Sequence, residues 1–411
     1  MTTQQKQSQP PSDRAARGQG PLAGVKVLEL AHLVAGPMAG TLLADLGAEV
    51  VHVEDPKVGD AARRQGPLKD GTHLWWKVSG RNKRSVTIDL RQPAGQALAH
   101  ELVGWADVLI TNMRVNTLRK WELDWESLHV RHPKLVMLHV SGNGLAAASA
   151  NEPGFGKVGE ARSGVVAVTG FADAPPVHAG FSHADTVTAL MGAFGICAAM
   201  VDRLDPDFQG ELIDLALDES LFRLIDWQVV VADQLGYAPP RAGNQLAIAP
   251  GVLVNTYESA DGRWLTVTSG TPRSVMNIAT LIGQDPADFQ TQQQLRERVP
   301  ELDARLRDWI SERKLDDALA AMKECEVVAA PVLSGMDILV DPLFAERGDI
   351  ITIADEDLGP LRMQGVIPRL VRRPGSVRRT GPQLGADTDD VLRSLGHSED
   401  ELAGWRADGV V

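Results

Sequence analysis

The chain has 411 residues, of which 44% are hydrophobic and 23% charged, with a formal net charge of −13. That length allows more than one domain with its own core, and the charged fraction is that of an ordinary globular protein. The acidic balance argues against nucleic acid as a partner for the surface as a whole, and no apolar run approaches the roughly 20 residues that span a bilayer.

Residues 1–20, MTTQQKQSQPPSDRAARGQG, are polar and rich in Pro, Gln and Ser, which predicts a disordered tail without the apolar stretch of a secretory signal. Residues 25–30 (VKVLEL) predict a strand, AHLVAGPMAG a loop, GTLLADLG a helix and AEVVHVE a second strand. The alternation continues with SVTIDL (85–90) as a strand, QPAGQALAHELVGWA as a helix, then DVLITN (107–112) and KLVMLHVSG (134–142) as strands. Strands alternating with helices predict a mostly parallel α/β sheet, whose ligands sit beyond the carboxyl ends of its strands. The stretch DTVTALMGAFGICAAMVDRL, opening at Asp185, is apolar nearly all round and is expected as a buried helix. GELIDLAL (210–217) adds a strand.

From about residue 222 the character changes. GRWLTVTSG (262–270) reads as a strand of a small sheet after an ADG turn, and DARLRDWISERKLDDALAAMKECEV as helical. DIITIAD returns to strand, and the end of the chain carries a short helix, SEDELAGW. The predicted organisation is a large α/β domain (21–221), a smaller α+β domain (222–335) and a C-terminal segment (336–411) returning to the large domain. Cys197 and Cys325 lie in apolar surroundings and read as buried packing residues of a reduced, cytoplasmic protein, not as a disulfide or metal set.

Three features carry possible chemistry. The first strand, glycine loop and helix, with Glu54 ending the second strand, suggest a nicotinamide dinucleotide site, but Gly36-Pro37-Met38-Ala39-Gly40 is not G-x-G-x-x-G and Pro37 lacks an N–H. Arg81-Asn82-Lys83-Arg84, Arg91, Arg114 and Arg119-Lys120 cluster around strand ends, either as a seat for a phosphate-rich small ligand or as a solvated rim. Trp75, Trp76 and Trp121 lie near these clusters and are candidates to cover an adenine or to fill the core. Asp185, in GFSHADTVTALMG, is either a helix cap or a carboxylate nucleophile, ionised at neutral pH without a base; His183 is a candidate relay. There is no zinc-type spacing, G-x-S-x-G elbow or Walker loop, so no metal is expected.

Taken in order, PLAGVKVLEL, AGPMAGTLLADLGAEVVHVEDPKVGD, GRNKRSVTIDL, ADVLITNMR, LGADTDDVL and the turn through Asp185 resemble the family III CoA-transferases. This is the CaiB/BaiF superfamily, which also holds carnitine-CoA and formyl-CoA transferases, and the resemblance runs from Pro21 to the C-terminus. It implies a large Rossmann-like domain and a small domain in an interlocked homodimer, with coenzyme A bound as substrate and product. The family's catalytic aspartate precedes a long helix; the matching residue in the H-A-D turn is Asp185. The implied route runs through an acyl-aspartyl anhydride and an aspartyl-CoA thioester, moving CoA from an acyl-CoA donor such as succinyl-CoA to a carboxylic acid. Implied CoA contacts are Val34 and Ala35, Ile88 and Arg91, Asn112, Met113 and Arg114, and Lys120 and Trp121.

The chain also departs from its relatives. Val34 stands where many carry Gln, and Gly156 where an acidic residue is common, leaving Glu152 or Glu160 as substitutes. The glycine-rich substrate loop of formyl-CoA transferases is not evident near 240–252, so formyl and oxalate groups are not expected as substrates. Arg162, Arg223 and Arg241 are candidates to pair a second carboxylate, which would make the acceptor a dicarboxylate. The alternative on the same scaffold is an α-methylacyl-CoA racemase, but P-G-F-G puts Phe155 and Gly156 where its two bases belong. A nicotinamide-dependent dehydrogenase and a non-catalytic CoA-binding protein are the alternatives of other classes.

Overall fold

The computed structural model describes residues 20–246, 248–249 and 251–411; the tail expected over 1–20 thus lies, except for Gly20, outside the described residues. The described chain divides into two compact units, one of residues 20–163, 179–224 and 345–411, the other of 164–178 and 225–344. Residues 164–178 thus group with the second unit, and the last segment joins the first unit from residue 345 instead of 336.

The first unit is built on β1 (Lys26–Leu30), α1 (Ala35–Asp45), β2 (Glu49–Glu54), β3 (Lys83–Thr87), α2 (Pro93–Trp105), β4 (Val108–Thr111) and β5 (Val136–Ser141). It continues with α3 (Gly156–Arg162), α4 (His183–Asp202), β6 (Glu211–Ala216) and α5 (Leu217–Leu224). The six strands form one parallel sheet in the order β3-β2-β1-β4-β5-β6. Neighbouring residues feed opposite faces. Leu28, Val51, Leu109 and Met137 pack with Leu98 and Leu102 of α2, whereas Val27, Val50, Ile110 and Leu138 pack with α1 and α4. Burial on both faces explains the near-continuous apolar runs, each such side chain contributing about 1.5–3 kcal/mol.

The glycine-proline stretch is not loop throughout: α1 already begins at Ala35, because Pro37 falls in the first turn, where its missing N–H costs nothing. The third strand starts at Lys83 and ends at Thr87, earlier than the alternation of 85–90 suggested, in register with β2 from Val50 to Glu54.

Helix α4 is also not buried all round. Thr188, Ala189, Gly192, Ala193 and Ile196 face the sheet, and a methyl group on Gly192 would lie 2.6 Å from Leu138. Leu190, Phe194 and Val201 on the other side are exposed. At 20 residues, α4 is also long and apolar enough by composition to cross a bilayer, contrary to the expectation that no apolar run approaches that length. Cys197 on this helix, like Cys325, is half-buried, not fully buried.

The second unit holds an antiparallel sheet of β7 (Leu253–Glu258), β8 (Trp264–Ser269) and β9 (Ala329–Pro331), with β8 in the middle. Its helices α6 (Pro272–Leu281) and α7 (Gln292–Ser311) both start in capping boxes, Thr271 with Ser274 and Thr291 with Gln294. The helical stretch expected from Asp303 therefore begins eleven residues earlier at Gln292, and it breaks after Ser311 before α8 (Leu315–Glu324).

Candidate active site

The strand order reverses between β1 and β4, and the loops leaving these two strands diverge at their carboxyl ends. A cleft of about 260 Å³ opens there. The loop after β1 contributes His32, Leu33, Val34 and Ala35, and the loop after β4 contributes Asn112, Met113 and Arg114. His139 to Gly142 come from β5 and its end, and Glu152, Phe155, Asp185 and Leu217 are among the other residues that line it.

The loop after β1 is held from two sides. The Asn112 side chain accepts from the His32 N–H at 2.9 Å and donates to the His32 carbonyl at 2.8 Å. Asp60 accepts from the Leu33 N–H at 3.1 and 3.2 Å. Leu33 has φ of +66°, in the left-handed region that a leucine enters only at a cost of about 1–2 kcal/mol. The glycines of this stretch serve packing. A methyl group on Gly36 would lie 2.6 Å from the Ala31 side chain, and one on Gly40 would lie 1.9 Å from a carboxylate oxygen of Glu29.

Asp185 sits in the first turn of α4, after Ser182 at the cap position, with its carboxylate on the cleft. No other side chain gives it a hydrogen bond or an ion pair among the described residues. Burial raises its pKa above the ordinary carboxylate value; its own backbone N–H opposes this, Glu160 adds to it and Lys157 opposes it. Gly156, the first residue of α3, leaves the space that this carboxylate fills: a methyl group there would lie 2.0 Å from Asp185 Oδ2. Lys157 Nζ donates to both oxygens of buried Glu160 at 2.8 and 3.0 Å. It also donates to the Ala179 and Phe181 carbonyls at 2.7 and 2.9 Å, and so ties α3 to the turn that carries Asp185.

Of the residues singled out in the sequence, Asp185, Val34, Ala35, Asn112, Met113 and Arg114 come together on the cleft. Of the other implied CoA contacts, Ile88, Arg91, Lys120 and Trp121 do not line it. The Ile88 side chain is buried in the core beside α2. Arg91 is exposed and pairs with Asp55 and Asp89, both at 2.7 Å. Lys120 is exposed, and Trp121 packs half-buried against the same core as Ile88. His183 lies against Phe181, with ring centres 5.2 Å apart, and is not part of the lining.

The first basic cluster is neither a phosphate seat nor a solvated rim, because Arg81 and Lys83 are buried and paired internally with Asp45 and Glu29. Glu54 is likewise committed, accepting from Arg63 at 2.5 and 2.7 Å and from Ser85 at 2.6 Å, so it is not free to hold a ribose. Trp76 is buried, donates to the Pro382 carbonyl at 2.8 Å and lies under the Arg63 guanidinium. Arg162 pairs with Asp218, and Arg241 donates to the carbonyls of Phe171, Ala172 and Ala174.

Two further imidazoles, His32 and His139, line the cleft. Burial lowers the pKa of both, and His139 Nε2 sits 2.8 Å from the Met113 carbonyl. Single histidines within apolar strand and loop stretches carry no spacing signal that would have found them.

The family model described as CoA-transferase family III matches residues 22–388. A succinyl-CoA–D-citramalate CoA-transferase of Chloroflexus aurantiacus is 39% identical over 399 residues, covering 95% of this chain and 98% of that protein. A succinate–glutarate CoA-transferase of Agrobacterium fabrum is 33% identical over 390 residues, covering 91% and 96%. Among solved structures, a CAIB/BAIF family protein from Brucella suis superposes with a TM-score of 0.81 at 29% identity, over 92% of this chain and 100% of that one. With the family model spanning most of the chain and relatives of such similarity along its whole length, this protein belongs to CoA-transferase family III.

Proposed function

We propose that the chain moves CoA from succinyl-CoA to a second short dicarboxylic acid of the citramalate, malate or glutarate type, with Asp185 as the covalent carrier. The observation that carries this reading is the Asp185 carboxylate itself: it lies on the cleft at the sheet's switch point, with no ion pair among the described residues, in space left by Gly156. Support for the substrate class comes from the relatives, which act on succinyl-CoA with D-citramalate or L-malate, or on succinate and glutarate.

An Asp185 oxygen attacks the succinyl carbonyl carbon, the C–S bond breaks, and CoA leaves as thiolate. The thiolate attacks the aspartyl carbonyl of the anhydride, succinate departs, and an aspartyl-CoA thioester remains. The acceptor carboxylate then attacks the aspartyl carbonyl, CoA leaves again, and its attack on the acceptor's acyl carbon frees Asp185. Covalent transfer thus replaces one difficult exchange between two carboxylates with a series of easier displacements. Partial desolvation of Asp185 favours the attack, because a carboxylate stripped of water is a better nucleophile. Loop residues Val34, Ala35, Asn112, Met113 and Arg114 hold CoA, with Arg114 as the cationic side chain on the cleft. The chain works as a homodimer of the family's interlocked kind, and the exposed apolar side of α4 (Leu190, Phe194, Val201) supports a second copy as its cover.

The test is succinyl-CoA with a panel of dicarboxylates, followed by hydroxylamine trapping and peptide mass spectrometry. A hydroxamate on Asp185 and a transfer product with at least one of these acids are expected. An unlabelled Asp185 with transfer intact would sink the covalent role, and no transfer from succinyl-CoA to any acid would sink the donor assignment.

A further inference from the structure

Beneath the loop after β1 lies a chain of charged side chains to which the proposed transfer reaction assigns no task. Glu29, His52, Asp60 and Lys83 are each at most 1% exposed. Lys83 Nζ contacts both Glu29 oxygens at 2.9 and 3.0 Å and donates to the Pro37 carbonyl, in the first turn of α1, at 2.6 Å. His52 sits between two carboxylates, Nδ1 at 2.5 Å from Glu29 and Nε2 at 3.4 Å from Asp60, both off the ideal hydrogen-bond direction. Asp60 ends the chain by accepting the Leu33 N–H, and its own N–H donates to Glu54 at 2.9 Å.

Taking four charges out of water is expensive, and an apolar filling of the same volume is often no less stable. Stability alone is therefore a weak reason for this arrangement. Its two ends supply a better one: both reach the same short stretch of backbone. Lys83 fixes the Pro37 carbonyl at the start of α1, and Asp60 fixes the N–H of Leu33, which stands in a conformation that leucine resists. Between these anchors lie Val34 and Ala35, on the cleft with Asp185. The space that Gly40 leaves for Glu29 is part of the same arrangement.

We infer that Asp60, backed by His52, Glu29 and Lys83, is a positioning residue that holds Leu33 in its left-handed conformation and so presents Val34 and Ala35 to the acyl-CoA. This rests on the proposed function for what the loop binds; the loop's shape itself does not depend on it.

Two measurements on Asp60→Ala separate these claims. The first is hydrogen exchange without substrate. Amides of residues 31–38 should exchange at least about tenfold faster than in the wild type, while those of β1 and β4 keep their protection. The second is steady-state kinetics: KM for the acyl-CoA should rise about tenfold with kcat within threefold. Leu33→Asn supplies the mechanistic control, since asparagine enters the left-handed region more cheaply. In that background Asp60→Ala should raise KM no more than threefold. Where Asp60→Ala does not fold, Asp60→Asn, which keeps one acceptor oxygen, carries the same comparison with smaller changes in the same direction. Unchanged exchange at 31–38, protection lost across the whole sheet, or an equal KM penalty in both backgrounds would each overturn the inference. If the wild type transfers no CoA at all, the proposed function fails, and the exchange data alone still decide whether Asp60 holds the loop.

Discussion

The first unit handles buried charge in two opposite ways within one site. Under the loop after β1, Glu29, His52, Asp60 and Lys83 answer one another charge for charge. Burial works against the protonation of His52, but Glu29 and then Asp60 outweigh it and raise its pKa to about 9. Asp185, on the same cleft, has no ion pair among the described residues, and burial raises its pKa above the ordinary carboxylate value against a weaker opposing pull from Lys157. In the roles proposed above, the first arrangement holds the backbone still and the second leaves one oxygen nucleophile available. A paired carboxylate would be stabilised as an anion and correspondingly poor at attacking a thioester. The difference separates support from chemistry, and it can be probed from either side.

The largest effect is expected from Asp185→Ala, which should lower kcat for transfer at least about 1000-fold, while Asp185→Asn should fold normally. Because the pKa of Asp185 is raised on folding, its ionised form opposes folding above its unfolded-state pKa. The amide variant should therefore melt no lower than the wild type, and up to about 3 °C higher by calorimetry. A loss of stability in the variant would show that Asp185 is a structural cap after all.

Gly156→Ala should come next. Its methyl group needs the place of Asp185 Oδ2, so the carboxylate must turn away, and kcat should fall about 100-fold with the circular dichroism spectrum unchanged. Full activity would mean that Asp185 reacts from a different rotamer. Lys157→Met removes the cation that bonds buried Glu160 and the two carbonyls ahead of α4. Since Lys157 itself is half exposed, a loss of about 1–2 kcal/mol in urea unfolding is expected, with a smaller drop in kcat.

The smallest effects are in pH. The acid limb of kcat/KM should have its midpoint above about 3.9, the ordinary aspartate value, because Asp185 must lose its proton to attack. His52 works in the opposite range. Its folded-state pKa is raised, so its contribution to stability is complete below about 6.5 and is lost as pH rises through about 9. Urea midpoints that stay flat from pH 7 to 10 would refute the paired state of His52.

Much of this was legible in the residues. Strand patterns with intervening helical periodicity led to a parallel sheet because residues buried on both faces leave a near-continuous apolar record. Asp185 drew notice through the family resemblance, since an acidic residue at the start of a long apolar helix reads equally as a cap. The partners of the basic cluster were hidden: Arg81 and Lys83 meet Asp45 and Glu29 across 36 and 54 residues of sequence, and no local pattern records a contact of that range. His32 and His139 were hidden for the same reason.

The sequence by itself thus determined the family and the sheet class, since these depend on periodicity and ordered motifs along one chain. Only the tertiary structure decided which charges are silenced and which is left open. That depends on the burial and distance of groups from separate strands and loops: Gly40 admitting Glu29, Asp60 gripping Leu33, and Gly156 making room for Asp185.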